Sequence, residues 1–250
     1  MTTSVLLTKK SAWSFFYRFG LFDPVIPINY DLSIKGAFEA LAPKPTNRVL
    51  DVGCGNGRLF YHARSWLAEG GRLVGVELSK GGAESARYRT EQLGFADQIT
   101  VKQGDMRQLK ELELGVFDGA VSHFSIYMLQ TQPERQAAVK QVGNLLKPGA
   151  KFVFAVPSET WSVREIFADA CQVESKRSDI NWLHSAFRQW VVYPMTAIGF
   201  RDLEKGLDED LFHRYTPEEI TEHLTKGGFE DIQIERIYGG NGYRAVARKI

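Results

Sequence analysis

Cysteine is nearly absent: Cys54 and Cys171 are the only two among 250 residues. Two thiols so far apart supply neither a disulfide framework nor the paired spacing of a metal site, so no metal is expected. Their scarcity suits a reducing, cytoplasmic setting. Long apolar runs are missing as well. Val5-Leu6-Leu7 is far shorter than the core of a signal peptide, and nothing approaches the roughly 20 apolar residues of a membrane-spanning helix. No membrane insertion is therefore expected. Nor is there an excess of charge of one sign: 31 Lys and Arg stand against 30 Asp and Glu. A net charge of +1 sets up no general field that would gather nucleic acid, and no nucleic-acid partner is expected. The chain shows no internal repeat and no low-complexity tail. With 44% hydrophobic residues it has the apolar material of an ordinary globular protein with a sizeable core.

What the chain does have is a dense glycine turn, and the rest is organised around it. Residues 49–58 read Val-Leu-Asp-Val-Gly-Cys-Gly-Asn-Gly-Arg. The apolar residues around Asp51 form a short buried strand, Gly53, Gly55 and Gly57 force a tight turn, and a helical pattern follows from Arg58. Glycine suits such a turn because it tolerates positive φ and has no Cβ to keep a ligand away. Strand, turn and helix N-terminus together make a nucleotide-sized site at the carboxyl edge of a sheet. A dinucleotide fingerprint asks for G-x-G-x-x-G. Here Gly57 arrives one residue early and Arg58 holds the place of the third glycine. The plainer alternative is a glycine-rich structural turn in an unrelated α/β protein.

From residue 48 strands and helices alternate. Strands are expected over 48–52, 72–77, 98–103, 117–122 and 151–156. Helices are expected over 57–69, from after Glu77 to Leu93, and from Pro133 to Leu146, with Lys147-Pro148-Gly149 as a turn. Strands separated by helices imply parallel pairing with right-handed crossovers. Before this core, Trp13, Phe16 and Tyr17 make a helical stripe that Gly20 can cap, and a second helix is expected over 31–41. After it, residues 158–214 break the rhythm with aromatics and charges, including Trp161, Trp182 and His184. Thr216-Pro217-Glu218-Glu219 then opens a helix with a capping box. Two strands, 229–236 and 242–248, close the chain as an antiparallel hairpin around Gly239-Gly240-Asn241-Gly242.

Several side chains fall at strand ends, where such folds bind ligands. Glu77 ends the second strand, where a carboxylate can accept from both hydroxyls of a ribose. Asp105, just past the third strand, can accept from an adenine amine while Met106 packs on the ring; the alternative is a turn aspartate capping its own loop. Ser122 and His123 end the fourth strand at the expected reversal of strand order and would face the cleft. His123 is the candidate catalytic group, against a structural histidine that caps the strand. Cys54 reads most simply as a small packing residue.

These stretches, taken in order, resemble the class I S-adenosylmethionine-dependent methyltransferases. The resemblance is carried by Asp51-x-Gly-x-Gly-x-Gly, Val-Gly-Val-Glu-Leu-Ser at 74–79, Gly-Asp-Met at 104–106, Phe-Asp-Gly-Ala-Val-Ser at 117–122, Leu-Leu-Lys-Pro-Gly-Ala-Lys-Phe at 145–152 and Gly-Gly-Phe-Glu at 227–230. It covers residues 48–157 and 216–250. It implies a Rossmann-like α/β fold: seven strands, mostly parallel, the last antiparallel, with helices on both faces. The organisation would be a helical segment over 1–47, a cofactor-binding core over 48–157, an aromatic helical cap over 158–214, and a helix and hairpin over 215–250 that complete the sheet. Gly53 and Gly55 would approach the methionine portion of S-adenosyl-L-methionine, Glu77 its ribose, Asp105 and Met106 its adenine. Asp51 and the backbone near Ser122 would hold the amino-acid end, with Cys54 and Leu78 alongside. Tyr127, after the fourth strand, and Trp161, Trp182 and His184 of the cap are candidates for the acceptor pocket; the cap either recognises substrate or simply forms a satellite core. The implied reaction is methyl transfer by in-line displacement to a small molecule, leaving S-adenosylhomocysteine. RNA or protein methylation, an oxidoreductase on a similar fold, and a non-catalytic nucleotide-binding module stand as the alternatives.

Overall fold

A computed structural model of the protein describes residues 26–177 and 181–250. The stripe of Trp13, Phe16 and Tyr17 and the cap at Gly20 lie outside the described residues. Helix α1 (Ile28–Leu41) starts directly after Pro27, three residues earlier than its apolar spacing predicts. There follow β1 (Arg48–Val52), α2 (Arg58–His62), α3 (Arg64–Ala68), β2 (Arg72–Glu77), α4 (Lys80–Leu93) and β3 (Ile99–Gln103). A 3₁₀ segment over Met106–Leu112 leads to β4 (Phe117–His123), α5 (Gln132–Leu145) and β5 (Leu146–Pro157). The cap holds α6 (Val163–Ser175), α7 (Trp182–Phe187), a π-helical turn (Arg188–Val192) and α8 (Tyr193–Asp208). Helix α9 (Pro217–Lys226), β6 (Phe229–Ile237) and β7 (Gly242–Lys249) end the chain.

The seven strands form one sheet in the order β3-β2-β1-β4-β5-β7-β6. β7 runs antiparallel to both neighbours, Ala155 opposite Arg244 on one side and Glu235 opposite Arg244 on the other. The remaining pairs, from β3 through to β5, are parallel. This is the expected Rossmann-like arrangement. Val49, Leu50 and Val52 are fully buried, as a parallel strand covered on both faces must be. Two apolar layers result. On one face Ile34, Phe38, Phe60, Trp66 and Ala83 of α1 to α4 pack on Val49, Leu73 and Val121. On the other, Val139, Ile166 and Leu224 of α5, α6 and α9 pack on Leu50, Val74 and Phe152.

Two local expectations change. The helix over 57–69 is broken at Ala63, whose ψ of −2° leaves the helical range. Each half has its own anchor: Asp31 of α1 accepts from Arg58 Nε (2.6 Å) and bonds His62 Nε2 (2.9 Å), whereas Trp66 Nε1 donates to Lys44 O (2.7 Å). The turn expected at Lys147-Pro148-Gly149 instead belongs to β5. Leu146 pairs with Phe117, and the irregularity is absorbed by a register shift between Phe117 and Gly119 and by Gly149 at φ +76°. The capping box at Thr216 forms as expected, with Glu219 N donating to Thr216 Oγ1 and Thr216 N to Glu219 Oε2.

The cap is positioned by a buried carboxylate. Glu174 of α6 accepts from Arg188 Nε (2.7 Å) and from the Tyr193 hydroxyl (2.6 Å), and Arg188 Nη2 also donates to Ile26 O (2.7 Å). Asn29 Nδ2 donates to Ile166 O and to Asp169 Oδ2, both at 2.8 Å. A buried ion pair adds little net stability but leaves few alternative registers, so α6, the π turn and α8 are fixed against the start of α1. No helix among the described residues is long and apolar enough to cross a membrane.

Candidate active site

β1 ends where the strand order reverses, the place at which open α/β sheets bind ligands. The turn that follows is pinned from both sides. Gly53 N and Cys54 N donate to Val76 O of β2 (2.8 and 3.0 Å). Val52 O accepts from Ser125 Oγ (2.6 Å), beyond β4. Since that hydroxyl proton is committed, Ser122 Oγ must be the donor in its 2.8 Å bond to Ser125 Oγ. Gly53 has φ +74°, and a Cβ there would stand 2.3 Å from Ser125 Cβ and 3.3 Å from Met106 Cε. Gly53, Met106 and Ser125 are thus gathered at one point.

Glu77 closes the turn from the other side. Its Oε2 accepts from Gly55 N (3.0 Å) and its Oε1 from Ser79 N (2.8 Å). Burial raises its pKa, opposed by these backbone donors. A carboxylate has about four acceptor positions, and the backbone donors Gly55, Ser79 and Leu78 draw on three of them, which leaves room for a further donor. Leu78, next in the chain, is 40% exposed at the strand end and offers an apolar surface beside it.

Asp51 is the unusual group. Its side chain lies in the middle of the core, 3% exposed, with no hydrogen-bond partner among the described residues. Burial, and then the nearby Glu77 charge, push its pKa up to about 8. Largely protonated near neutral pH, this carboxyl would gain from a cation placed beside it. An ammonium-bearing ligand that pairs with it must displace the proton below pH 8. Such a ligand carries an α-amino group that itself loses its proton at roughly 7.7–8.0. Its affinity is therefore expected to rise with pH, by up to about tenfold per unit, to a maximum near pH 8, and to fall beyond it. For the unliganded protein the sign is opposite. A carboxyl whose folded pKa is raised is most favourable at low pH, and stability is lost as pH climbs from the ordinary carboxylate range towards 8. Asp51→Asn should thus raise Tm at pH 7–8 while flattening the acid limb of the binding profile. Calorimetry and thermal melts between pH 6 and 9 measure both.

The other sequence candidates are distributed as follows. Asp105 faces its own loop: Oδ1 accepts from Arg107 N (2.9 Å) and Arg107 Nε (3.0 Å), and Oδ2 from Arg107 Nη2 (2.5 Å). Burial pushes its carboxyl up, but these bonds hold it below the usual range. Cys54 is buried and would touch a Cβ placed on Gly75, which is a packing role. His123 is 8% exposed and lies under α1, its Nε2 bonded to Ser33 Oγ (2.8 Å). Burial, Arg244 and His62 push its pKa down to about 3, so the ring is neutral. Tyr127 is buried between Phe124 and Phe212. Trp161 is buried against Phe124 and Tyr238. Trp182 stands out from the cap at 74% exposure and joins neither group. The His184 side chain lies outside the described residues. Sequence reasoning passes over Tyr30, Phe124, Ser125 and Tyr238, which the fold brings to the same end of the sheet. A groove of about 670 Å³ lined by Lys151, Gln233, Glu235 and Arg248 lies on the β5-β7-β6 surface and includes none of the glycine-turn residues.

A sheet with a reversed seventh strand, a three-glycine turn at the switch point and an acid closing that turn from β2 define a Rossmann-like methyltransferase. The sequence profile of a family described as a methyltransferase domain matches residues 43–228, and the chain belongs to that family, the class I S-adenosylmethionine-dependent methyltransferases. A demethylmenaquinone methyltransferase from Symbiobacterium thermophilum is 26% identical over 198 residues, covering 79% of this chain and 74% of that protein. A ubiquinone biosynthesis O-methyltransferase from Nitrosococcus oceani is 32% identical over 113 residues, covering 45% of this chain and 44% of the relative. Among solved structures, a SAM-dependent methyltransferase from Aquifex aeolicus shares the fold with a TM-score of 0.58 at 14% identity, over 90% of this chain and 95% of that one.

Proposed function

We propose that this enzyme transfers a methyl group from S-adenosylmethionine to a small-molecule acceptor by in-line displacement. The observation that carries the reading is Asp51, a buried carboxyl without a partner beside a glycine turn and an acid with room for a further donor. That donor set fits a nucleoside bearing a cationic amino acid. Glu77 would accept from the ribose hydroxyls and Leu78 flank them. Gly53, Cys54 and Gly55 would present backbone to the methionine portion. Asp51 and the chain near Ser122 would hold its charged end, and Met106 with Asp105 the adenine. For Asp105 to accept from the adenine amine it must use a lone pair that Arg107 leaves open.

When bound, S-adenosylmethionine supplies a methyl group already activated on a sulfonium, which departs as S-adenosylhomocysteine is left behind. The chain's own part is alignment and exclusion of water. The Glu77 clamp fixes the turn, Ser122 and Ser125 lock β4 to β1, and the cap covers the carboxyl end of β5. His123, neutral at working pH, is the candidate to accept a hydrogen bond from the acceptor and orient it; a ring whose pKa is pushed down to about 3 is a poor base for taking its proton. The relatives named for demethylmenaquinone and for ubiquinone biosynthesis support an acceptor of the quinone kind, a flat ring bearing oxygens. Balanced charge supports a small molecule over RNA. Both cysteines are free thiols, which supports a reducing, cytoplasmic setting. Calorimetry with S-adenosylmethionine and, separately, NAD tests the reading, followed by labelled-methyl transfer to metabolite extracts with mass spectrometry of the product. Binding of the methyl donor and label in small organic products are expected; NAD binding without donor binding would overturn it.

A further inference from the structure

Three buried polar atoms near the ends of β4, β5 and β6 have no hydrogen-bond partner among the described residues: His123 Nδ1, Trp161 Nε1 and Tyr238 Oη. Their side chains are 8%, 6% and 5% exposed. Buried indole and phenol groups ordinarily find partners, and each one left open has a cost. The three belong to one cluster built on Phe124, whose ring centroid lies 4.8 Å from His123, 5.7 Å from Trp161 and 5.6 Å from Tyr238. The backbone is strained at the same spot. Phe124 and Tyr238 are the two aromatic residues among the described residues with positive φ, at +47° and +58°. Strain of this kind in bulky residues collects at binding sites.

The polarity of each atom follows from its neighbours. Ser33 Oγ donates to Tyr30 O (2.8 Å), so in its bond to His123 Nε2 it must accept. The histidine therefore carries its proton on Nε2, and Nδ1 is a bare acceptor. Trp161 Nε1 can only donate, and Tyr238 Oη can do either. Tyr30 links this cluster to the glycine turn: its ring lies 5.2 Å from His123 and 5.9 Å from Tyr238. Its neighbour Asp31 accepts from Arg58 Nε, directly after the glycine turn (2.6 Å), and burial and then the Asp51 charge raise the Tyr30 phenol pKa.

We propose that His123, Trp161 and Tyr238 form the hydrogen-bonding set for the methyl acceptor, a flat ring whose hydroxyl donates a hydrogen bond to His123 Nδ1 and whose oxygens accept hydrogen bonds from Trp161 and Tyr238. This rests on the methyl-transfer reading and adds the acceptor's hydrogen-bonding pattern to it. The test uses the full chain loaded with S-adenosylhomocysteine, and 1,4-dihydroxynaphthalene kept anaerobic as probe, against its 1,4-dimethoxy analogue. Calorimetry should show the dihydroxy ring bound about tenfold or more tightly than the dimethoxy ring. Tyr238→Phe should lose about tenfold of that affinity, leave S-adenosylhomocysteine binding unchanged, and raise Tm of the unliganded protein by roughly 2–4 °C, because an unsatisfied hydroxyl is removed. Trp161→Phe serves as a second variant, its fold checked by S-adenosylhomocysteine affinity. Equal affinity for the two rings, or no loss in either variant, would make the three atoms sites of buried water and overturn the proposal. Failure of S-adenosylhomocysteine itself to bind would instead sink the methyl-transfer reading, and this one with it.

Discussion

Glu77→Ala is expected to weaken S-adenosylmethionine binding by about 100-fold or more. Hydroxyl hydrogen bonding to a charged acceptor is lost, each bond worth roughly 1.5–3 kcal/mol. The turn suffers as well, since Gly55 N and Ser79 N lose the carboxylate that orients them. A Cβ on Gly82 would stand 2.9 Å from Glu77 Cγ, so α4 packs directly on this side chain and a cavity follows its removal. Glu77→Gln separates the effects. It keeps the shape and one acceptor oxygen, and should fall between wild type and alanine. Calorimetry with both variants measures the series, and an unchanged affinity in Glu77→Ala would remove the ribose role.

Gly53→Val is expected to be the most damaging single change to the fold of the site. A β-branched residue at φ +74° costs about 1–3 kcal/mol in strain, and the overlap with Ser125, 2.3 Å from Cβ to Cβ, adds roughly 1–3 kcal/mol more. Together they come to about 2–6 kcal/mol, a large share of the roughly 5–15 kcal/mol that holds a typical domain folded. Tm should fall by about 10 °C, with donor binding gone. Gly94→Ala is the control, because Gly94 has the same φ of +74° with nothing within 4 Å. It should cost about 1–2 kcal/mol, the penalty of a Cβ in the left-handed region. Equal losses at the two positions, in thermal melts, would show that strain alone matters and that contact with Ser125 does not.

The parts of this architecture that repeat locally can be read from the chain. Alternation of apolar segments and glycine stops predicts the strands, and Gly239 to Gly242 predicts the hairpin that reverses β7. Glu77 is legible because it ends a strand adjacent to β1, and Asp51 because it precedes the turn. What escapes is set by contacts distant in sequence or by backbone strain. Ser125 matters only because β4 lies beside β1. Phe124 and Tyr238 adopt positive φ without being glycine, which no residue preference announces. Trp161 and Trp182 look alike as aromatics in a cap, yet one is 6% and the other 74% exposed. The burial of Trp161 depends on Tyr238, which lies in another segment. Asp105 shows the competition directly. Its position at a strand end suggests adenine, while Arg107 two residues later claims most of its acceptor capacity.

The placement of β7 between β5 and β6 has a consequence for how the protein is made. Both of its partners leave the ribosome before it does. Until Gly242 to Lys249 emerge, β5 presents an unpaired edge and β6 has nothing to pair with at all. Open edges of this kind are the ones other chains add to. A stalled or prematurely terminated chain that stops short of Gly242 would therefore be the aggregation-prone form and a natural client of chaperones.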